Sequence, residues 1–193
     1  MHILCDTSSI LLLIRIAPKM FIDKRHECCT LHEIYDELFR TQKFKQRYPW
    51  RDKFKNKIKY LDSQQINVTE VKLYYETIVR LNEAGKTSNY SGKIFSLSRV
   101  DIKLLACALA HGFKLSTGDQ GIKEFAWQEF SEEFKGHVSA LEIINLWLRK
   151  KLIKWNDELH EYISDWSEQN EYPQPDDQRK IFERFTKRKY PGS

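Results

Sequence analysis

Four acidic residues stand where short apolar runs give way to helix-forming segments: Asp6, Glu37, Asp101 and Asp119. Asp6 ends the run His2–Ile3–Leu4–Cys5, and Asp119 follows the run Phe113–Thr117. In a parallel sheet the carboxyl ends of neighbouring strands lie side by side, and ligands bind beyond those ends. Asp101 falls in the first turn of the helix that feeds the run before Asp119, and Glu37 lies one turn past Glu33. Carboxylates gathered at one strand edge offer oxygen ligands to a hard divalent cation, Mg2+ or Mn2+, and leave it places for phosphate. A cation held there lowers the pKa of a bound water and stabilises charge developing on a phosphodiester.

Each acid also has a local explanation. Asp6 and Asp101 occupy capping positions, and Asp119 lies in a Gly-Asp-Gln-Gly turn where Asp is at home. Taken singly, caps explain them. Only the set points to a metal.

The elements that must position these residues alternate between strand and helix. The run His2–Cys5 reads as a buried strand, followed by a helix from Ile10 to Ile16 that Asp6, Thr7 or Ser8 caps and Pro18 closes. Cys28–Cys29 is a short strand, and Thr30 with Glu33 forms a capping box for a helix through Ile34, Leu38 and Phe39. Ile66–Val68 reads as a strand. Val71, Ile78 and Leu81 keep helical spacing up to a stop at Gly85, and a polar loop follows over 86–96. Ser98-x-x-Asp101 opens the next helix, Gly112 ends it, and Phe113–Thr117 is a strand. A helix over Ile122–Phe130, a strand beginning at Val138, a helix capped by Ser139-x-x-Glu142 and a helix over Asn156–Gln169 complete the order. Tyr172–Pro175 reads as a break before a mobile basic tail at Arg184–Lys189. Short strands alternating with helices predict an α/β sandwich around a mainly parallel sheet.

Composition narrows the classes. Of 193 residues 41% are hydrophobic, enough for one ordinary core, while Lys+Arg 32 against Asp+Glu 27 leaves a net charge of +5 that permits an anionic partner without demanding one. The longest apolar run, Ile10–Ile14, is far short of the roughly 20 residues of a membrane helix. The first residues carry no basic region, so no secretory signal is expected. Cys5, Cys28, Cys29 and Cys107 include no CxxC, which favours a reducing, cytoplasmic setting over a disulfide framework. His26, Cys28, Cys29 and His32 have the wrong spacing for zinc, and His111 and His137 are isolated. Ala84–Thr87 lacks the glycine a phosphate loop needs, having Arg80 in its place.

Residues 41–60 set Lys43, Lys45, Arg47, Arg51, Lys53, Lys55, Lys57 and Lys59 against Asp52 alone, with Phe44, Tyr48, Trp50, Phe54 and Tyr60 interleaved. That mixture suits a groove that tracks a nucleic acid backbone and stacks its bases, which makes Lys43, Lys45, Arg47, Arg51 and Lys53 candidate RNA contacts. It suits equally the solvated face of a helix whose aromatics are buried.

Four segments together resemble the PIN domain nucleases: Ile3–Leu4–Cys5–Asp6–Thr7–Ser8, Ile34–Tyr35–Asp36–Glu37–Leu38, the stretch from Leu97 to Ala106 around Asp101, and Leu115–Ser116–Thr117–Gly118–Asp119. In order and approximate spacing they match that family's acidic motifs, with the last two the most specific. The resemblance covers about residues 1–145. It implies a three-layer α/β/α sandwich over 1–145, with 146–193 as a C-terminal helical extension and basic tail. It further implies a metal-dependent endoribonuclease in which Asp6, Glu37, Asp101 and Asp119 hold Mg2+ or Mn2+ and metal-activated water cuts RNA. Thr117 would support the Asp119 corner, and Thr7 or Ser8 would line the site. Gly118 departs from the pattern, since many relatives carry a second acid there. Within the family a toxin of a toxin–antitoxin pair, with an antitoxin protein and a second copy of itself as partners, and an RNA-processing enzyme both fit. A degenerate module that binds RNA or protein without cutting is the alternative.

Overall fold

A computed structural model describes residues 2–62, 65–169 and 174–192. Its centre is a three-stranded parallel sheet of order β2-β1-β3, built from β1 (Ile3–Cys5), β2 (Cys28–Cys29) and β3 (Lys114–Ser116). β1 is fully buried between its two neighbours, with Leu4 opposite both Cys29 and Leu115. This is why the sequence there is an unbroken apolar run instead of an alternation: a central parallel strand is covered on both faces. The Thr30 hydroxyl ties the ends of β1 and β2 together by donating to the Cys5 carbonyl at 2.9 Å.

Asp6 turns the chain directly from β1 into α1 (Thr7–Ile16), its side chain accepting from the Ser9 amide. Eight of the ten residues of α1 are buried, as expected of a helix that is apolar nearly all round. It packs between α2 (His32–Arg40), α7 (Ala140–Arg149) and α8 (Asp157–Gln169). α2 leads into α3 (Gln42–Arg47) and a 3-10 stretch over Pro49–Lys57. α4 (Val68–Glu83) pairs with α5 (Arg99–His111), and α5 delivers the chain through Gly112, in the left-handed region at φ 61°, to β3. Beyond β3, α6 (Gln120–Glu129) starts at Asp119. All four cysteines are free thiols. No helix among the described residues is long and apolar enough to cross a membrane.

Five expectations need correction. Thr30 does not cap α2: Leu31 holds the N-cap position without a side-chain bond, Thr30 serves β1 instead, and Glu33 pairs with Lys103. Ile66–Val68 is not a strand, because Asn67 caps α4 and α4 already begins at Val68. The loop over 86–96 is partly ordered as a hairpin-like turn, with an antiparallel bridge from Thr87 to Ile94. The strand expected from Val138 shrinks to a single parallel bridge between Leu115 and His137, since Ser139 caps α7 at once.

The largest change is at the C-terminus. The break at Tyr172–Pro173 lies outside the described residues, but the basic tail is not loose. α9 (Asp176–Thr186) packs on α7, and Phe182 is fully buried edge-on between Trp155 and Tyr190, at ring separations of 4.8 and 5.7 Å. Ile181, Phe182 and Phe185 give this segment an apolar face that charge counting hides. α7 itself runs across residue 145 without a break, with Asn145 and Trp147 both buried and the Trp147 indole donating to the His26 carbonyl at 3.2 Å.

Candidate functional site

Asp6, Thr117, Gly118 and Asp119 meet at the carboxyl end of the sheet because β1 and β3 are neighbours in register, Cys5 opposite Ser116. The Asp6 amide donates to the Ser116 carbonyl at 3.0 Å, and the Gly118 amide reaches an Asp6 carboxylate oxygen at 3.4 Å. Ser8 donates its hydroxyl to both oxygens of Asp6 at 2.9 Å, and the Ser9 amide donates at 2.7 Å. Burial of the Asp6 carboxyl raises its pKa, while hydrogen bonds from Ser9, Thr117 and Ser8 oppose the rise. Thr117 is thus shared between two acids, since its oxygen also accepts from the Asp119 amide at 3.0 Å.

Glu37 arrives from α2. It accepts from the Thr7 hydroxyl at 2.5 Å, which fixes it against the first turn of α1. Its pKa is raised by burial first, then by the negative charges of Asp101 and Asp6, with the Thr7 bond acting the other way. Asp101 arrives from α5, where it completes a capping box with Ser98. Asp6 and Asp101, from two elements far from α2 in the chain, thus both act on Glu37 by their charge. Asp119 lies on the far side of Asp6, where the Lys123 ammonium feels both carboxylates.

Capping and ligation turn out to be compatible. Asp101 uses one oxygen, Oδ2, to accept from the Ser98 amide and hydroxyl. Asp119 uses Oδ1 to accept from the Gly121 and Ile122 amides, and Glu37 uses Oε2 for Thr7. Among the described residues the second oxygen of each accepts no hydrogen bond, and none of the four acids lies within ion-pair distance of a cation. Hard oxygens in excess of local donors are the donor set that Mg2+ or Mn2+ takes. Among the described residues, however, no three acidic, histidine or cysteine side chains already close on one point.

The candidate RNA contacts divide. Lys45, Arg47 and Lys53 are exposed, and the side chain of Lys43 lies outside the described residues. Arg51 is only 1% exposed. It donates to the carbonyls of Leu38, Phe44 and Tyr48 at 2.8, 3.2 and 3.2 Å, so it closes the ends of α2 and α3 and does not face solvent. Of the interleaved aromatics Tyr48 is buried and Phe44, Trp50 and Phe54 pack against the core, which leaves Tyr60 exposed.

Sequence reasoning passed over Lys123, His137 and Trp166, which line a cleft beside Asp119. Lys123 stands one helical turn after Asp119, so its placement could be read from the i,i+4 spacing; Trp166 could not be placed without the tertiary fold. Compared with protein-family models, curated proteins and solved structures, the chain matches none of them.

Proposed function

We propose that this chain is a metal-dependent endoribonuclease of the PIN type, with the parallel sheet as the middle layer of an α/β/α sandwich. One observation carries the reading: Glu37, held by the Thr7 hydroxyl, feels the negative charges of both Asp101 and Asp6, which come from two other elements. Like charges held together cost stability unless something neutralises them, so a cluster of this kind makes sense as a cation seat. Asp6, Glu37 and Asp101 would hold Mg2+ or Mn2+, with Asp119 completing the set. When bound, such a cation supplies an acidic water and offsets charge on the scissile phosphate. The remaining chemistry is positioning. Ser8 and Thr117 hold the Asp6 carboxylate from two sides, and Thr7 holds Glu37. The capping bonds leave Asp101 and Asp119 anchored by their backbones, each with one oxygen turned free.

The test is cleavage of labelled single-stranded RNA with Mn2+, together with the thermal shift that Mn2+ produces. Cleavage and the metal-induced shift are expected in the parent and lost in Asp6→Asn and Asp101→Asn, both of which keep a capping side chain. Equal cleavage by those variants removes the assignment. A second reading is an RNA-binding module that does not cut. RNA binding without cleavage at any Mn2+ concentration would select it.

A further inference from the structure

A cleft of about 500 Å3 opens directly beside the acidic corner. That volume lies within the range of small-ligand pockets, roughly 300–1,000 Å3. Its inner wall is Ser8, Thr117 and Gly118, the residues that hydrogen-bond Asp6, so cleft and acidic cluster share a wall. Trp166 of α8, only 8% exposed, and Pro175, ahead of α9, also line it, as do Lys123, His137 and Ser139.

Lys123 and Ser139 are donors. Lys123 is half-buried and, among the described residues, has no acid within ion-pair distance. The carboxylates of Asp119, Asp6 and Glu124 act on its ammonium without closing an ion pair, so the charge stays available to an anion that enters the cleft. Ser139 accepts from the Glu142 amide at 3.1 Å, which leaves its hydroxyl hydrogen available to the cleft. The acid on the cleft wall, Asp119, already has one oxygen engaged by the Gly121 and Ile122 amides. A cleft lined by a cation and a hydroxyl together with the edge of an indole and a proline ring has groups for both the anion and the flat ring of a nucleotide.

We propose that this cleft seats the nucleotide next to the bond that is cut, with the Lys123 ammonium on its phosphate and Trp166 and Pro175 against its sugar and base. This assignment rests on the nuclease reading above. It also gives residues 146–193 a task, since Trp166 and Pro175 then border the substrate path.

The experiment titrates the full chain into a short fluorescent single-stranded oligoribonucleotide in EDTA, followed by anisotropy at several salt concentrations, for the parent, Lys123→Met and Lys123→Arg. Met keeps the apolar stem and removes the charge. The expected result is about tenfold weaker binding for Lys123→Met, with affinity largely kept by Lys123→Arg. The salt slope should become shallower by about 0.7, the value for one lost phosphate contact on a single strand. A structural change alone would not move that slope. If Lys123→Met binds with the parent's affinity and slope while Mn2+ cleavage still requires Asp6, the cleft assignment is overturned and the nuclease stands. If the tenfold loss appears in a chain that cleaves nothing with Mn2+, the nucleotide seat stands and the nuclease falls. RNA bound by none of the three proteins overturns the seat.

Discussion

Replacing Arg51 by Met tests whether the basic segment is an RNA surface or a scaffold. The guanidinium is 1% exposed and its three donors end on the carbonyls of Leu38, Phe44 and Tyr48. The Leu38 carbonyl lies in the last turn of α2, while those of Phe44 and Tyr48, at the end of α3, also accept from the Tyr48 and Arg51 amides at 2.9 and 3.1 Å. A hydrogen bond from a charged donor is worth roughly 1.5–3 kcal/mol, and three taken independently would exceed what removal of one side chain costs, because the helix ends relax and the guanidinium regains its hydration in the comparison. About 3–5 kcal/mol is the reasonable net loss, the same as for breaking a buried charged network. At roughly 2–4 °C per kcal/mol for a chain of this size, the melting temperature should fall by about 6–20 °C. Arg51→Lys should recover little, since an ammonium cannot span three divergent carbonyls. Calorimetry reads the loss, with Lys45→Gln and Lys53→Gln, both exposed, as controls that leave the melting temperature within about 2 °C. A loss under about 1 kcal/mol for Arg51→Met would refute the closing function of this residue and return it to the RNA-contact candidates.

Two further outcomes follow from the same geometry. Asp6 and Glu37 have raised pKa values, so the folded chain holds their protons more tightly than the unfolded chain, and the stability they affect is lost as pH rises from their unfolded values near 4 through the raised folded values. Glu37→Gln should therefore gain on the parent as pH rises to neutrality and show no such gain below the unfolded value; urea midpoints across pH that run parallel for the two proteins would contradict this. Phe182→Ala should cost about 3–5 kcal/mol and expose the chain beyond residue 174 to limited proteolysis, whereas unchanged protease resistance would mean that α9 is not held by its aromatic contact with Trp155 and Tyr190.

Legibility varied with the range of the interaction that decides each feature. The caps at Asp6, Ser98, Ser139 and Gly112 and the helices they bound were readable, because a cap is satisfied within three or four residues of itself. Thr30 and Glu33 have the right spacing for the same motif and do not form it. A carbonyl of β1 and the Lys103 ammonium, both distant in sequence, compete successfully for their side chains. Arg51 and the tail show the same limit from the other side: charge in the sequence suggested solvent, while burial was set by helix ends and aromatic rings brought in from elsewhere.

By itself the sequence determined that β1 is a covered strand, that Asp6, Asp101 and Asp119 stand at helix starts, and that Glu37 lies on the helix after β2. Each of these depends on local hydrogen bonds and on apolar periodicity. Only the tertiary structure decided that the charges of Asp6 and Asp101 reach Glu37, and that Trp166 and Pro175 line the cleft beside Asp119. The pairing of β1 with both neighbours and the packing of α8 against α1 place those groups, and such long-range contacts leave no mark in the spacing of nearby residues.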